Sequence, residues 1–109
     1  MLMKISKAAP YGKFLADAPL AIAIIANSKL SPNWYLQDTS MVAHQMALMA
    51  WSEGIGTCWI GSMDRVVIGS LLQIKLGEFV TTVLPFGYPK GKIQNSTRKP
   101  LDSLVETIG

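Results

Sequence analysis

The stretch from Thr39 to Glu53, TSMVAHQMALMAWSE, reads as a helix with almost no polar side. Met41, Val42, Met46, Leu48, Met49 and Trp51 fall all around its circumference, with Ala43, Ala47 and Ala50 between them. A helix that is apolar all round is buried on several faces. The chain has 109 residues, which suits one domain spanning 1–109, and so small a domain buries a limited share of its own surface. The helix is therefore expected at the centre of the fold, covered in part by a second copy of the chain. Composition agrees: 50% of residues are hydrophobic and 16% charged, so some apolar surface is expected to meet another subunit. A membrane span is the rival explanation and is rejected. The longest apolar run, Ala18 to Ala26, falls well short of the roughly 20 residues a bilayer requires. The N-terminal MLMKISKAAPYGK lacks the apolar segment and cleavage site of a secretory leader. A cytoplasmic protein is expected.

Around that helix the pattern predicts few strands. Residues 6–17 read as a short helical segment interrupted at Pro10. PLAIAIIAN is continuously apolar and predicts a buried central strand over 20–26. SKLSPNW is a loop. Asp38 is expected to cap the apolar helix, with Gly54 and Gly56 stopping it at positive φ. TCWI is a short extended piece, and Ser62 or Asp64 caps a helix over 63–73. EFVTTVLPFGY is a strand with Val80, Thr82, Leu84, Phe86 and Tyr88 on one face. Pro85 marks an edge or a bulge there. PKGKIQNSTRK is a loop, and Pro100 opens a last short helix carrying Leu101, Leu104 and Val105. The order is helix, strand, helix, helix, strand, helix: a mixed α/β sandwich with few strands that reads as incomplete on its own. Trp34 and Tyr35 either pack on the core or cover a site.

GIGTCWIGSMD, Gly54 to Asp64, invites a phosphate-cradle reading and fails it. A dinucleotide fingerprint needs a strand before its glycines and a helix after them; here the glycines follow a helix, and the Gly54, Gly56, Gly61 spacing is wrong. No Gly-Lys-Ser/Thr follows, so it is not a P-loop. Gly61 and Ser62 are different, because they precede a helix. Two backbone N–H groups at that point can point outward with the helix dipole behind them, and a small residue lets a flat ligand approach the main chain. The net charge is +3, with Lys90, Lys92, Arg98 and Lys99 clustered near the end. The cluster is either a solvated loop or a site for a small anion such as a phosphate monoester. Nucleic acid is disfavoured, since no aromatic interleaves the tract. Cys58 is the single cysteine, expected to be a buried small hydrophobe. His44, the only histidine, is expected in the core or an interface. No catalytic side chain and no metal site are predicted.

The segments DTSMVAHQMALMAWSEGIGTCWIGSMD and LPFGYPKGKIQNSTRKPL resemble the C-terminal part of the FMN-dependent nitroreductase family. The resemblance rests on Asp38, Ser40, Gln45, Gly54, Gly56, Trp59, Gly61, Asp64, Gly87, Tyr88, Pro89, Arg98, Pro100 and Leu101, in that order, and runs from about Phe14 to Val105. It implies an α+β nitroreductase-like fold, here with a few-stranded sheet and flanking helices. It also implies a homodimer with FMN at the interface and NAD(P)H as electron donor. The acceptors would be small molecules: nitroaromatics, quinones or related compounds, reduced by ping-pong hydride transfer. By the same resemblance, the amides around Gly61 and Ser62 lie beside flavin N5, Trp59 and Ile60 line the flavin face, and Arg98 binds the FMN phosphate. The family's Arg-Arg-Ser-x-Arg-type segment is absent, and Met46 stands where an Asn is usual. The chain thus reads as a truncated member. Three expectations follow: an FMN-dependent oxidoreductase with a reduced site, a non-catalytic dimerising domain that binds FMN weakly or not at all, or a site completed by a separate chain carrying the N-terminal half.

Overall fold

The computed structural model describes residues 1–109. Three α-helices, α1 (Leu2–Lys7), α2 (Tyr35–Ser52) and α3 (Arg65–Leu72), flank one sheet made of β1 (Leu20–Asn27), β2 (Gly56–Thr57) and β3 (Glu78–Gly87). Short 3-10 turns occupy Lys13–Asp17 and Leu101–Ser103. The sheet is antiparallel with order β1-β3-β2, so the architecture is α+β. The helical reading of 6–17 resolves into α1 and a separate 3-10 turn, broken around Pro10.

The strand predicted as central, β1, is an edge strand, and β3 lies in the middle. The continuous apolar character of β1 has another cause. Ile22 and Ile24 pack beneath α2, while Ala21, Ala23 and Ile25 pack against the opposite cluster of Ile5, Leu15, Ile68 and Val80. Both faces of the strand are covered, and its outer edge is open.

The single-face expectation for β3 is also corrected. Ile24 pairs with Thr82 and Ile25 with Val80, which leaves Thr81 as an extra residue in the ladder. Such a bulge bends the strand and breaks its alternation. Val80 and Val83 consequently join the α1/α3 side of the core, whereas Leu84 and Phe86 lie on the α2 side with Ala43. The bulge sits at Thr81 and not at Pro85. Pro85 faces Ala21 in the central strand. On the other side, pairing with β2 stops at Thr57–Phe86 and resumes only as the isolated Ile60–Val83 bridge, so its missing N–H falls beside a break in the ladder.

The apolar helix α2 begins at Tyr35, three residues before the expected cap. Asp38 lies in its first turn and instead accepts a 2.9 Å hydrogen bond from Ser31 Oγ, closing the preceding loop. Gly54 ends the helix at φ 74°, as expected. Gly56 does not have positive φ; a Cβ there would meet Pro89 Cγ at a tight 3.2 Å. Only Ala43 of α2 is fully buried, and Met41, Val42, Leu48, Met49 and Trp51 are exposed. Within one copy, α2 is therefore covered on one face only. His44 is on the exposed side, not in the core.

Residues 88–109 are exposed throughout. They extend the chain to a radius of gyration of 16.3 Å, against about 13 Å for a compact domain near this length. No helix is long and apolar enough to cross a membrane.

Candidate functional site

The segment after β2 is pinned on its inner side and open on its outer side. Ile60 N–H donates to Val83 O at 3.3 Å, and Ile60 O accepts from Thr82 Oγ1 at 3.1 Å. Asp64 N–H donates to Ala8 O at 2.8 Å. Between the two anchors, neither the Gly61 nor the Ser62 N–H donates to any protein atom. Buried backbone donors are nearly always paired, so two adjacent exposed and unpaired ones mark a place where solvent or a ligand is the acceptor.

The helix that follows is capped by Asp64, the second of the two predicted caps. Its Oδ1 accepts from Val66 N–H at 3.1 Å and Val67 N–H at 3.0 Å. The cap draws the first turn of α3 tight and keeps the preceding residues out of the helix. Gly61 and Ser62 thus form a loop just ahead of the helix, with the positive end of its dipole close behind.

These residues border a cleft of about 220 Å³, lined also by Tyr11, Gly12, Phe14 and Trp59. A Cβ built on Gly61 would meet only the Trp59 ring, at 3.5 and 3.6 Å. The side chains of Trp59, Phe14 and Tyr11 are all substantially exposed. Ile60 is different: it is 4% exposed and packs in the core, so it forms the floor of the cleft and not a free face. Cys58, expected to be buried, is exposed in the cleft wall, because β2 ends at Thr57 and the next residues leave the sheet. Phe14 and Cys58 also wall a neighbouring depression of about 290 Å³ that contains Thr57 and Gly56. Thr57 Oγ1 there is buried without a hydrogen-bond partner.

Arg98 is not brought to this cleft. It lies on the exposed tail, where its Nη1 donates to Ser96 Oγ and to Thr97 O. Of the five predicted site residues, Trp59, Ile60, Gly61 and Ser62 line one cleft, and Arg98 stands apart from it. Trp34 is exposed, and Tyr35 packs edge-on against Phe79 at 6.3 Å, in neither case at the cleft.

A second, apolar groove of about 470 Å³ runs between α2 and the sheet, lined by Leu20, Ile22, Met46, Met49, Ile55 and Phe86. No group of three or more His, Cys, Asp or Glu side chains is placed to hold a metal ion.

Sequence reading missed Arg65. Its Nε donates to Val80 O at 3.0 Å, and its Nη2 donates to Gly61 O at 3.2 Å and Thr81 O at 3.4 Å. The guanidinium also lies 5.5 Å from the centre of the Phe79 ring. A signal existed: Arg65 is the first residue of α3, where the helix dipole disfavours a cation, so a cation there needs another partner. The hydroxyl pair Thr39–Thr81, 2.8 Å apart and tying α2 to the bulge, was equally invisible without the bulge.

Comparisons with known proteins bear on the family and the fold. The model of the nitroreductase family matches residues 3–88. A protein of Methanothermobacter thermautotrophicus provisionally named NADH dehydrogenase/NAD(P)H nitroreductase is 38% identical over 95 residues, covering 82% of this chain and 50% of that protein. The chain spans about half the length of the curated relatives it matches. Among solved structures, a protein of Bacteroides thetaiotaomicron with the same provisional name superposes with a TM-score of 0.85 at 27% identity, over 94% of this chain and 62% of that one. An FMN-dependent nitroreductase of Clostridium difficile superposes with a TM-score of 0.79 at 27% identity, over 95% and 64%.

Proposed function

This chain belongs to the nitroreductase family, and on that premise we propose that it binds FMN along the cleft beside Trp59–Ser62 and serves as an NAD(P)H-dependent oxidoreductase. Its acceptors are nitroaromatics, quinones or related small molecules. The observation that carries the proposal is the pair of unpaired amides, Gly61 and Ser62, held over a cleft with exposed aromatic walls. An isoalloxazine is flat, with a hydrogen-bonding edge, and this donor set suits it. The Thr57 hydroxyl, buried and unpartnered, belongs to the neighbouring depression and not to this cleft.

Trp59 and the backbone of 60–62 would hold the ring, with the Ser62 and Gly61 N–H groups directed at its N5 edge. Arg98 would hold the phosphate, since a guanidinium makes paired hydrogen bonds to phosphate oxygens. When bound, FMN supplies the hydride-transfer chemistry, and the chain binds, orients and shields it.

A complete ligand site usually encloses about 300–1,000 Å³, so the 220 Å³ cleft is one wall of such a site. A homodimer supplies the other wall. The exposed apolar face of α2 and the exposed tail bearing Arg98 are the surfaces that a second copy would cover.

The separation of Arg98 from the cleft favours a second reading: a dimerising domain that binds FMN weakly or not at all, or one completed by a separate chain carrying an N-terminal half. Titration of the purified chain with FMN, followed by flavin fluorescence, separates these. Saturable quenching and a yellow protein that NADH or NADPH bleaches support the oxidoreductase. A protein left colourless in excess FMN overturns it, and flavin binding that appears only on adding a family N-terminal half assigns the site to two chains.

A further inference from the structure

We infer that Arg65 is a positioning residue for the flavin-facing donor: it grips the carbonyl of the Gly61–Ser62 peptide, aims the Ser62 N–H outward and polarises it. The inference rests on the FMN reading for what the N–H meets, but its core is a property of the chain alone.

The argument starts from the peptide unit. Gly61 C=O and Ser62 N–H belong to the same plane, and no peptide in the chain is cis. In a trans peptide the two groups point in opposite directions. Whatever fixes the carbonyl therefore fixes the N–H. Arg65 Nη2 donates to Gly61 O at 3.2 Å, from the side of the loop where β3 lies. The Ser62 N–H is thus directed away from β3, where no protein atom accepts it.

Arg65 is itself immobilised. Its Nε is committed to Val80 O at 3.0 Å and its Nη2 is shared with Thr81 O at 3.4 Å. These are the carbonyls flanking the bulge. The Phe79 ring lies 5.5 Å from the guanidinium carbon, within range for a cation–π contact. Three contacts from one strand hold the planar fork, and the fork in turn holds the loop. Lysine has three donors but on one nitrogen, and lacks the planar fork that reaches these carbonyls from two nitrogens.

Polarisation follows from charge. A cationic donor on the carbonyl draws electron density through the amide, so the N–H on the far side becomes a stronger donor. The helix dipole of α3 acts on the same group in the same sense. Gly61 leaves that face open, with only the Trp59 ring within reach of a Cβ.

The test uses the full chain with Arg65→Met and Arg65→Lys, read by amide NMR without flavin and by FMN titration. In Arg65→Met the Ser62 amide nitrogen is expected to move upfield, as a less polarised peptide does, while resonances of Leu20 and Phe86, paired at the far end of the ladder, stay in place. FMN affinity is expected to fall about tenfold, equivalent to about 1.4 kcal/mol. Arg65→Lys recovers part of both effects, and it decides the matter if the methionine variant does not fold. An unmoved Ser62 resonance in a folded variant overturns the inference, and so does an unchanged FMN affinity. If the parent chain binds no FMN, the FMN reading fails. The shift of Ser62 in the flavin-free protein then decides alone whether Arg65 governs that peptide.

Discussion

Removing the carboxylate of Asp64 tests how the site loop is held. Asp64 Oδ1 accepts from both Val66 and Val67 N–H, and no other side chain caps α3. The helix is eight residues long, so its first turn is a large part of it, and it carries Ile68, which is fully buried. Asp64→Ala leaves two amides without their acceptor. The loss of an N-cap costs about 1 kcal/mol, within a range of roughly 0.5–2. For a domain of this size that corresponds to a fall of about 4–8 °C in Tm. Asp64→Asn keeps an oxygen in place and is expected to lose less than half as much. Thermal unfolding followed by far-UV circular dichroism measures both. The backbone anchor from Asp64 N–H to Ala8 O survives either change, so the difference between the two variants isolates the side chain. Equal damage from Asn and Ala, or no damage from Ala, would refute the capping argument and with it the claim that the cap sets the geometry of residues 61–62.

Gly61→Val should fold normally, because its Cβ meets only the Trp59 ring at ordinary contact distance, yet it should reduce flavin occupancy by filling the cleft; undiminished occupancy in an absorbance titration would remove the backbone edge from the site. Arg98→Ala should leave Tm unchanged, since Arg98 contacts only its own tail, and weaken FMN binding by at least about 1.5 kcal/mol, the scale of a charge-assisted hydrogen bond; equal affinity by calorimetry would exclude Arg98 from phosphate binding. Leu48 is 57% exposed on α2, and Leu48→Glu removes that exposed share twice from a symmetric interface, an expected loss of about 2–3 kcal/mol when ~1.5–3 per fully buried leucine is scaled to it. Sedimentation equilibrium checks this: a parent chain that is already monomeric ends the homodimer proposal.

The elements themselves were largely legible in sequence. The run from Leu20 to Ala26 is apolar and β-branched, and it forms a strand; Met63 to Gln73 contains α3; Pro100 does precede a last short turn. What failed was local in origin. Asp38 has the chemistry of a cap, but Ser31 competes for its carboxylate, and the helix starts earlier without a side-chain cap. The face pattern of β3 failed because the extra residue, Thr81, has no sequence mark of its own: it reads as one more β-branched residue in a strand. At the candidate site, the outward main-chain donors at Gly61 and Ser62 were legible because a strand-like piece leads there into a capped helix. For Arg65 the sequence offered only a cation at a helix start; its partners are main-chain carbonyls, which every residue possesses, so what it grips was not legible. The place of β1 in the sheet was missed for a related reason: apolar residues on both faces report what covers them, not what lies alongside.

The open side of β1 has a practical consequence. Its eight residues, LAIAIIAN, carry no charge and no proline, the features by which natural proteins discourage unwanted lateral pairing. An uncovered strand of this kind templates the addition of any extended chain, native or not. Heating or concentrating the protein is therefore expected to start fibrillar growth at this border. A lysine in place of Leu20, the exposed residue of β1, monitored by light scattering, shows whether that border is where precipitation begins.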